Sequence, residues 1–107
     1  MRLHPLVIQI IAEKTKEFFG NNACVWLFGS RVDDTKLGGD IDIYIETDLL
    51  QVMDSKYKLL SELCEIVGDR KIDIVTHKRH TPIKPIGKIA KETGIEITNF
   101  KRNFSPS

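Results

Sequence analysis

The sequence predicts an α/β protein in which a small mixed β-sheet is packed with helices. Three observations support this fold class. Apolar residues recur at helical spacing in two segments, short apolar or alternating segments of strand length lie between and after them, and a proline and a glycine bracket a further helical segment. A chain of 107 residues is long enough for one hydrophobic core and too short for two. We therefore expect a single domain over residues 1–107, with a flexible tail at about 101–107.

Two helices are predicted from the spacing of apolar residues. The first runs from Leu3 to Phe18, and Gly20 with the two asparagines after it provides a stop. The second ends at Gly68. Its apolar residues step by fours and threes, and they are Met53, Tyr57, Leu60, Cys64 and Val67.

A third helix is predicted near the end of the chain. Pro85 suits the first position of a helix, because a helix leaves its first N–H groups unpaired and proline has none. Gly94 suits the C-terminal stop. The sequence IEITNF that follows is expected to add a short edge strand.

Three strands are predicted upstream of that helix. The run ACVWLFG is continuously apolar, which is typical of a strand buried on both faces, with Trp26 in the core. The run DIDIYIE alternates, so its isoleucines face one way and its other side chains the opposite way. Those other side chains are Asp40, Asp42, Tyr44 and Glu46. The run KIDIVT gives a third strand that carries Asp73 between two isoleucines.

The charge balance argues against nucleic acid as the main partner, because the formal net charge is only +1. Charge is nevertheless unevenly distributed. From Lys78 onward, Lys and Arg outnumber Asp and Glu by seven to two. Lys84, Lys88 and Lys91 fall at helical spacing and are predicted to form a basic stripe. Such a stripe can meet an acidic partner surface, although many are only solvated.

The cysteines and the apolar runs indicate a cytoplasmic protein without a membrane segment. Cys24 and Cys64 each lie in an apolar run, so we expect two core residues in a reducing compartment and not a disulfide framework. No run approaches the ~20 apolar residues that a membrane helix needs. Nothing at the start of the sequence resembles a signal peptide.

The alternating strand raises the first chemical question. Asp40 and Asp42 project from the same face, with Cα atoms roughly 6.6 Å apart. Two such carboxylates can bind one hard divalent cation such as Mg²⁺ or bridge two cations. The alternative is a sheet face that is simply open to water. Asp73 favours the cation, since a third acid on a neighbouring strand would complete a cluster able to hold metals and to help deprotonate a hydroxyl.

A phosphate site is predicted where the first strand ends. Gly29 and Ser30 offer backbone N–H groups and a hydroxyl that can bind phosphate oxygens, and Arg31 adds a positive charge. The alternative is an ordinary turn. His77 and His80 form an H-x-x-H sequence, but without acids or thiols at zinc-site spacing they are a weak candidate for a metal site.

Together these motifs resemble a known family. Gly29-Ser30, nine intervening residues, Asp40-Ile41-Asp42 and the later Ile72-Asp73-Ile74 are similar to the signature of the nucleotidyltransferase superfamily that includes DNA polymerase β. With so short a chain, the sequence most resembles the minimal nucleotidyltransferases, the MNT or MntA-like antitoxins that are paired with HEPN-domain toxins. The resemblance is close from about Cys24 to Thr76. The spacing between serine and first aspartate is one residue shorter than usual.

The resemblance implies a reaction and a set of residue roles. Gly29, Ser30 and Arg31 would bind a nucleoside triphosphate, here ATP. Asp40 and Asp42 would ligate Mg²⁺, and the third acid would be either a ligand or the base. That third acid is Asp73. The reaction would transfer AMP from ATP to a hydroxyl and release pyrophosphate.

The acceptor is expected to lie in another polypeptide, because the chain has little beyond the nucleotide-binding part. The resemblance points to a HEPN-type toxin, with a tyrosine as the acceptor, and leaves a homo- or hetero-oligomer open. Two alternatives remain. One is a non-catalytic antitoxin that acts only by binding the toxin, which the three aspartates argue against. The other is a transferase for a small molecule such as an aminoglycoside.

Overall fold

Helices cover both faces of a four-stranded sheet in the computed structural model, which describes residues 4–28, 41–68 and 70–100. The helices are α1 (Pro5–Phe19), α2 (Met53–Val67) and α3 (Pro85–Thr93). The strands are β1 (Cys24–Phe28), β2 (Ile41–Thr47), β3 (Ile72–Lys78) and β4 (Ile95–Glu96). None of these helices is long and apolar enough to cross a membrane. The predicted tail at 101–107 lies outside the described residues.

The sheet is mixed, as the sequence predicts. Its strand order is β3-β2-β1-β4. β2 runs parallel to β3, whereas β1 is antiparallel to both β2 and β4. The predicted strands and helices are therefore all present, and β4 is the short edge strand expected after α3. The fold class is confirmed.

The alternation along β2 decides what each face of the sheet does. Ile41, Ile43 and Ile45 are at most 1% exposed and form the main core with α1 and α2. The side chains between them face α3, and Tyr44 on that side is also only 1% exposed. The expected alternative of an acidic face that is open to water is therefore wrong for the central part of the strand, because α3 covers it.

Helix α2 has the predicted boundaries but faces the core with different residues. Leu59 and Leu63 are fully buried. Met53 and Tyr57, which belong to the predicted apolar stripe, are 51% and 58% exposed. Cys64 is exposed as well, so the expectation of a core cysteine there is wrong. Apolar residues lie on two adjacent stripes of this helix, and spacing alone does not show which stripe meets the sheet.

Strand β1 is less buried than a continuous apolar run suggests. Val25 and Leu27 are buried on the side of the main core, but Trp26 on the opposite side is only partly buried, which corrects the prediction that it is a core residue. Its ring lies 5.7 Å from that of Tyr44, and the Lys91 ammonium lies 5.1 Å from its centre. Trp26 thus lines the margin of the α3 contact, where a large ring can keep one edge in water.

Helix α3 lies very close to the sheet because its first turn contains Gly87. A Cβ atom placed on Gly87 would be 2.5 Å from the Tyr44 hydroxyl oxygen and 2.8 Å from Cγ1 of Ile83. Only glycine fits this contact without movement of the helix or the tyrosine. The later residue Ala90 is also fully buried against the same face.

A cluster of charges around Glu46 ties α3 to β2 and β3. The carboxylate lies 2.8 Å from Lys91 Nζ, 3.3 Å from His77 Nδ1 and 3.9 Å from Arg79 Nε. Burial alone would raise the pKa of Glu46, but the hydrogen bonds and charges of Lys91 and His77 outweigh burial and hold the pKa below its ordinary value. One carboxylate therefore connects three elements of the fold. The sequence pattern had placed Glu46 on this face of the strand but gave it no role.

The Glu46 cluster predicts a pH-dependent stability. Replacing Glu46 with Gln should lower the free energy of unfolding by about 1–2 kcal/mol at neutral pH, since Lys91 and Arg79 lose a shared anion. Because the folded-state pKa lies below the ordinary 4.5, this contribution is present above that pH and is lost as the pH falls through the folded-state value. Urea titrations at descending pH should therefore show wild type and variant converging. The exposed Glu92 on the same helix is the control, and Glu92→Gln should change stability by less than ~0.5 kcal/mol.

The close contact at Gly87 predicts an inverted substitution effect. In an ordinary helix, Gly→Ala stabilises by up to about 1 kcal/mol. Here Gly87→Ala should destabilise the protein by about 1–3 kcal/mol, because the new methyl group overlaps Tyr44. Part of that loss should return in the Tyr44→Phe background, where the hydroxyl oxygen is absent. Thermal unfolding of the four proteins in this double-mutant cycle measures the coupling, and strictly additive effects would contradict the contact.

Candidate active site

The parallel pairing of β2 and β3 brings two of the three predicted acids together. Asp42 and Asp73 occupy paired positions on the two strands. Adjacent strands lie about 4.8 Å apart, and paired residues of parallel strands project from the same face. The structure thus confirms that these two carboxylates share one face, which is the side covered farther along by α3.

An open cleft of about 510 Å³ surrounds the pair. Asp73 stands at its exposed side, with half of its side-chain surface accessible and Lys71 Nζ 4.0 Å away. Asp42 is half-buried. The other lining residues are mostly apolar, and they are Phe28, Lys56, Leu60, Ile72, Ile74, Val75 and Ile86. Acids that are partly sheltered yet reachable from solvent are suited to bind a hydrated cation together with a substrate.

Four of the predicted site residues are not placed by the structure. Gly29, Ser30, Arg31 and Asp40 lie outside the described residues, so the phosphate site and the first metal ligand remain predictions. They belong to the segment that joins β1 to β2. Before this segment, the last described residue is Phe28 at the end of β1, which is paired with Asp42. The described chain therefore reaches the start of this segment beside one of the two acids.

The donor set of the cleft suits magnesium. Within residues 4–28, 41–68 and 70–100, no three His, Cys, Asp or Glu side chains come together in a way that could hold a metal ion. Asp42 and Asp73 occupy paired positions and line the same cleft, so they can offer oxygen donors to one cation. Mg²⁺ commonly takes one or two carboxylates and completes its shell with water and phosphate oxygens. These two residues would hold such an ion.

The H-x-x-H sequence is accounted for by structural contacts. His77 Nδ1 lies 3.3 Å from Glu46 Oε2, and its Nε2 lies 3.1 Å from the carbonyl oxygen of Thr81. His80 points elsewhere and is 84% exposed, with its Nε2 4.0 Å from Asp48. Both nitrogens of His77 are engaged, so the histidine that is half-buried in the fold helps to fix the β3–α3 connection.

Lys56 is a cleft residue that sequence reasoning missed. It lies on α2, is half-buried, and is the one cationic side chain among the described residues that line the cleft. None of the described side chains forms a salt bridge with it. Because α2 packs on the face of the sheet opposite the two acids, Lys56 reaches the cleft at the β3 edge, where a cation can balance the charge of a bound phosphate. No local sequence motif predicts such a residue, because Lys56 comes to line the cleft only through the packing of α2 beside β3.

Comparison with known proteins agrees with this geometry. A family model described as Polymerase beta, Nucleotidyltransferase matches residues 13–102. No curated protein matches the chain significantly by sequence. Among solved structures, the fold is similar to the MNT antitoxin in the complex of that antitoxin with a tri-AMPylated HEPN toxin from Shewanella oneidensis. That match has a TM-score of 0.62 and 17% sequence identity, and it covers 86% of this chain and 69% of the other.

Two kinds of comparison thus support the resemblance found in the sequence. The structural likeness has low sequence identity and therefore bears on the fold alone, which it confirms as a nucleotidyltransferase fold. The family match is evidence of common ancestry and not only of a shared fold. It includes β1, β2 and β3 and both described acids. Since it spans most of the sequence, this chain belongs to the polymerase beta nucleotidyltransferase family.

Proposed function

We propose that this protein is an antitoxin that transfers AMP from ATP to a hydroxyl group of a HEPN-type toxin, with Mg²⁺ as the cofactor and a tyrosine as the acceptor. The observation that carries the proposal is the pairing of Asp42 with Asp73 in an open cleft of a nucleotidyltransferase domain. The structurally similar complex adds support, because its toxin is AMPylated.

The proposed reaction exchanges one bond at the α-phosphorus of ATP. The acceptor oxygen forms a bond to this phosphorus while the bond to the β-phosphate oxygen breaks, and pyrophosphate leaves. The hydroxyl proton passes to a base. When bound, Mg²⁺ neutralises charge on the phosphates and helps to align the attack.

The protein's own side chains would position the metal ion and the reacting groups and balance the charge of the phosphates. Asp42 lies deeper in the cleft and would serve as a metal ligand. Asp73 is at the exposed side, where an acceptor arrives, so it serves either as a second ligand or as the base. Lys56, at the β3 edge of the cleft, would meet the negative charge of the phosphates.

The proposal predicts that Asp42→Asn abolishes transfer. Asparagine keeps the size of the side chain but removes the charge that the cation needs, so transfer of label from ATP to co-purified toxin should fall at least about 100-fold. The fold should persist, because Asp42 lies at the end of the strand and outside the main core. Asp54→Asn, at the exposed first turn of α2, is the matched control and should transfer at the wild-type rate.

The same variant separates this function from that of a purely binding antitoxin. If Asp42→Asn still binds the toxin but no longer neutralises it, neutralisation requires chemistry. Full neutralisation by this variant, without label on the toxin, would show that binding is sufficient and would contradict the proposal.

The predicted basic stripe on α3 needs a correction before it can be tested. Lys91 is not free for a partner, because its ammonium is bonded to Glu46 at 2.8 Å and lies over the ring of Trp26. Lys84 and Lys88 remain, both exposed and without an ion pair among the described residues. Reversal of Lys91 would disturb α3 itself, so it is left out of the test.

Reversing the charge of Lys84 and Lys88 together should slow association with the toxin. If the stripe steers encounter with an acidic surface, the association rate should fall about threefold or more at low salt and much less at high salt. Surface plasmon resonance at several salt concentrations measures this. Lys58→Glu on α2 is the control for net charge. Equal association rates for the double variant and the control would show that the stripe is only solvated and does not steer the partner.

A further inference from the structure

Strand β3 is the outermost strand of the sheet, so one of its edges has no neighbouring strand among the described residues. At one end of its ladder with β2, Ile41 N–H donates to the Lys71 carbonyl oxygen at 2.8 Å. At the other end, Arg79 N–H donates to the Thr47 carbonyl oxygen at 2.8 Å. Backbone groups alternate in direction along a strand, so those of the odd-numbered residues of β3 face β2 and those of the even-numbered residues face away.

The even-numbered residues of β3 form a row of outward-facing N–H and C=O groups. They are Ile72, Ile74 and Thr76, and within the described part of the chain no hydrogen bond is made to their outward backbone groups. The row ends at Lys78, whose carbonyl oxygen accepts from Thr81 N–H at 3.3 Å. It spans roughly 13 Å at about 3.3 Å per residue, which is long enough for about five residues of an added strand.

This free edge of β3 opens into the cleft of the candidate active site. Asp73 lines the cleft from one face of the strand, Ile74 from the opposite face, and Leu60 from α2. A space that is lined from both faces of one strand must pass around the edge of that strand. A chain laid along the edge would lie about 4.8 Å from β3 and therefore inside the cleft.

Unpaired strand edges are templates for strands of other chains. In β-augmentation, an extended segment of a partner adds a strand to such an edge, and its main-chain hydrogen bonds provide affinity while its alternate side chains provide specificity. Edges that must stay unpaired usually carry lysine or proline. Here the stretch 72–76 contains neither, and Lys71 and Lys78 lie at its two ends.

We propose that the partner toxin binds this edge with an extended acidic segment, which adds a strand beside β3 and carries the acceptor hydroxyl. The inference rests on the proposed nucleotidyl transfer and names the surface on which the acceptor arrives. Charge complementarity favours an acidic segment. Among the described residues at this edge, the cations are Lys56, Lys71 and Lys78, and the single acid, Asp73, would be balanced by Mg²⁺.

An added strand would place every second side chain on the face of Asp73. Side chains directly opposite each other have Cβ atoms about 4.5–5.5 Å apart, and diagonal neighbours are within reach of aromatic side chains. A tyrosine opposite or diagonal to Asp73 would therefore reach the space beside the two acids. The intervening side chains of the segment would face Leu60 on the side of α2, which favours apolar residues at those positions.

A second copy of this chain fits the edge less well. If two copies paired symmetrically along the whole of β3, Lys71 of each copy would lie opposite Arg79 of the other. Like charges that face each other across a ladder are destabilising. The added strand of the second copy would also occupy the place where an acceptor must enter.

Hydrogen exchange tests the proposal directly. NMR follows the labelled chain alone and with unlabelled toxin, both without ATP. The three outward-facing amides of β3 should exchange at least about tenfold more slowly in the complex, because the added strand bonds them. Glu96 in β4 is the internal control. Its N–H points away from the sheet at the opposite edge, since the next residue, Ile97, donates its N–H to the Val25 carbonyl oxygen, and its exchange rate should not change.

A substitution at Thr76 removes one outward donor. Thr76→Pro leaves the ladder with β2 intact, and proline is tolerated on an edge strand where the N–H faces outward. The variant should bind the toxin roughly tenfold more weakly, because a carbonyl group of the added strand loses its donor. ATP affinity, measured by isothermal titration calorimetry, should stay unchanged. Thr76→Ala is the matched control, since it removes the same side chain but keeps the N–H, and it should bind the toxin like the wild type.

The outcomes separate this inference from the proposed function. Toxin binding without protection of the β3 amides would overturn the edge as the docking surface and leave the proposed transfer intact. Protection of the same amides in the free chain at rising concentration would assign the edge to a second copy and overturn the inference equally. Protection by the toxin, with no AMP transferred to it when ATP is added, would keep the docking surface and overturn the transfer. A toxin that does not bind would overturn both.

Discussion

The register between β2 and β3 is the constraint on which the site depends. Side chains alternate along a strand, so a slip of one residue would turn Asp73 away from Asp42. The slip is opposed by the other face of the sheet, where Ile43 and Ile74 are buried side by side in the main core. Exposing such a side chain costs about 1.5–3 kcal/mol each. The apolar core thus fixes the geometry of the acids without touching them.

Helix α3 divides the acidic face of the sheet into two parts. At one end the cleft around Asp42 and Asp73 stays open, whereas from Tyr44 onward the helix closes the face. Gly87 permits the close approach, and Lys91 on the same helix secures it through Glu46. The cleft acid Asp42 and the helix anchor Glu46 therefore lie on the same face of one strand, and a change in the anchoring alters the walls of the candidate site.

The sequence was sufficient for features that repeat along the chain. The alternation in β2, the helix ends at Gly68 and Gly94, and the shared face of Asp42 and Asp73 follow from local periodicity combined with the family motif. Features that depend on packing between distant segments were not predictable in this way.

Three particular residues show where the local rules end. The buried side of α2 was predicted wrongly because apolar residues lie on two stripes of the helix. The stripe that contains Leu59 is the one packed against the core. Lys91 was assigned to a solvent-facing stripe because its partner, Glu46, is 45 residues away in the chain. Lys56 was overlooked for the same reason, since only the packing of α2 beside β3 brings it into the cleft.

Strand β3 is the outermost strand of the described sheet, and this has a consequence for how the site fails. Backbone hydrogen bonds hold the strand of Asp73 on one side only. At one end of this ladder Ile41 N–H donates to the Lys71 carbonyl oxygen, and at the other end Arg79 N–H donates to the Thr47 carbonyl oxygen. Edge strands open locally at lower free energy than the core unfolds. Separation of the two carboxylates therefore requires only that β3 detach from β2, and the integrity of the proposed metal site reports on this pairing and not on the whole molecule.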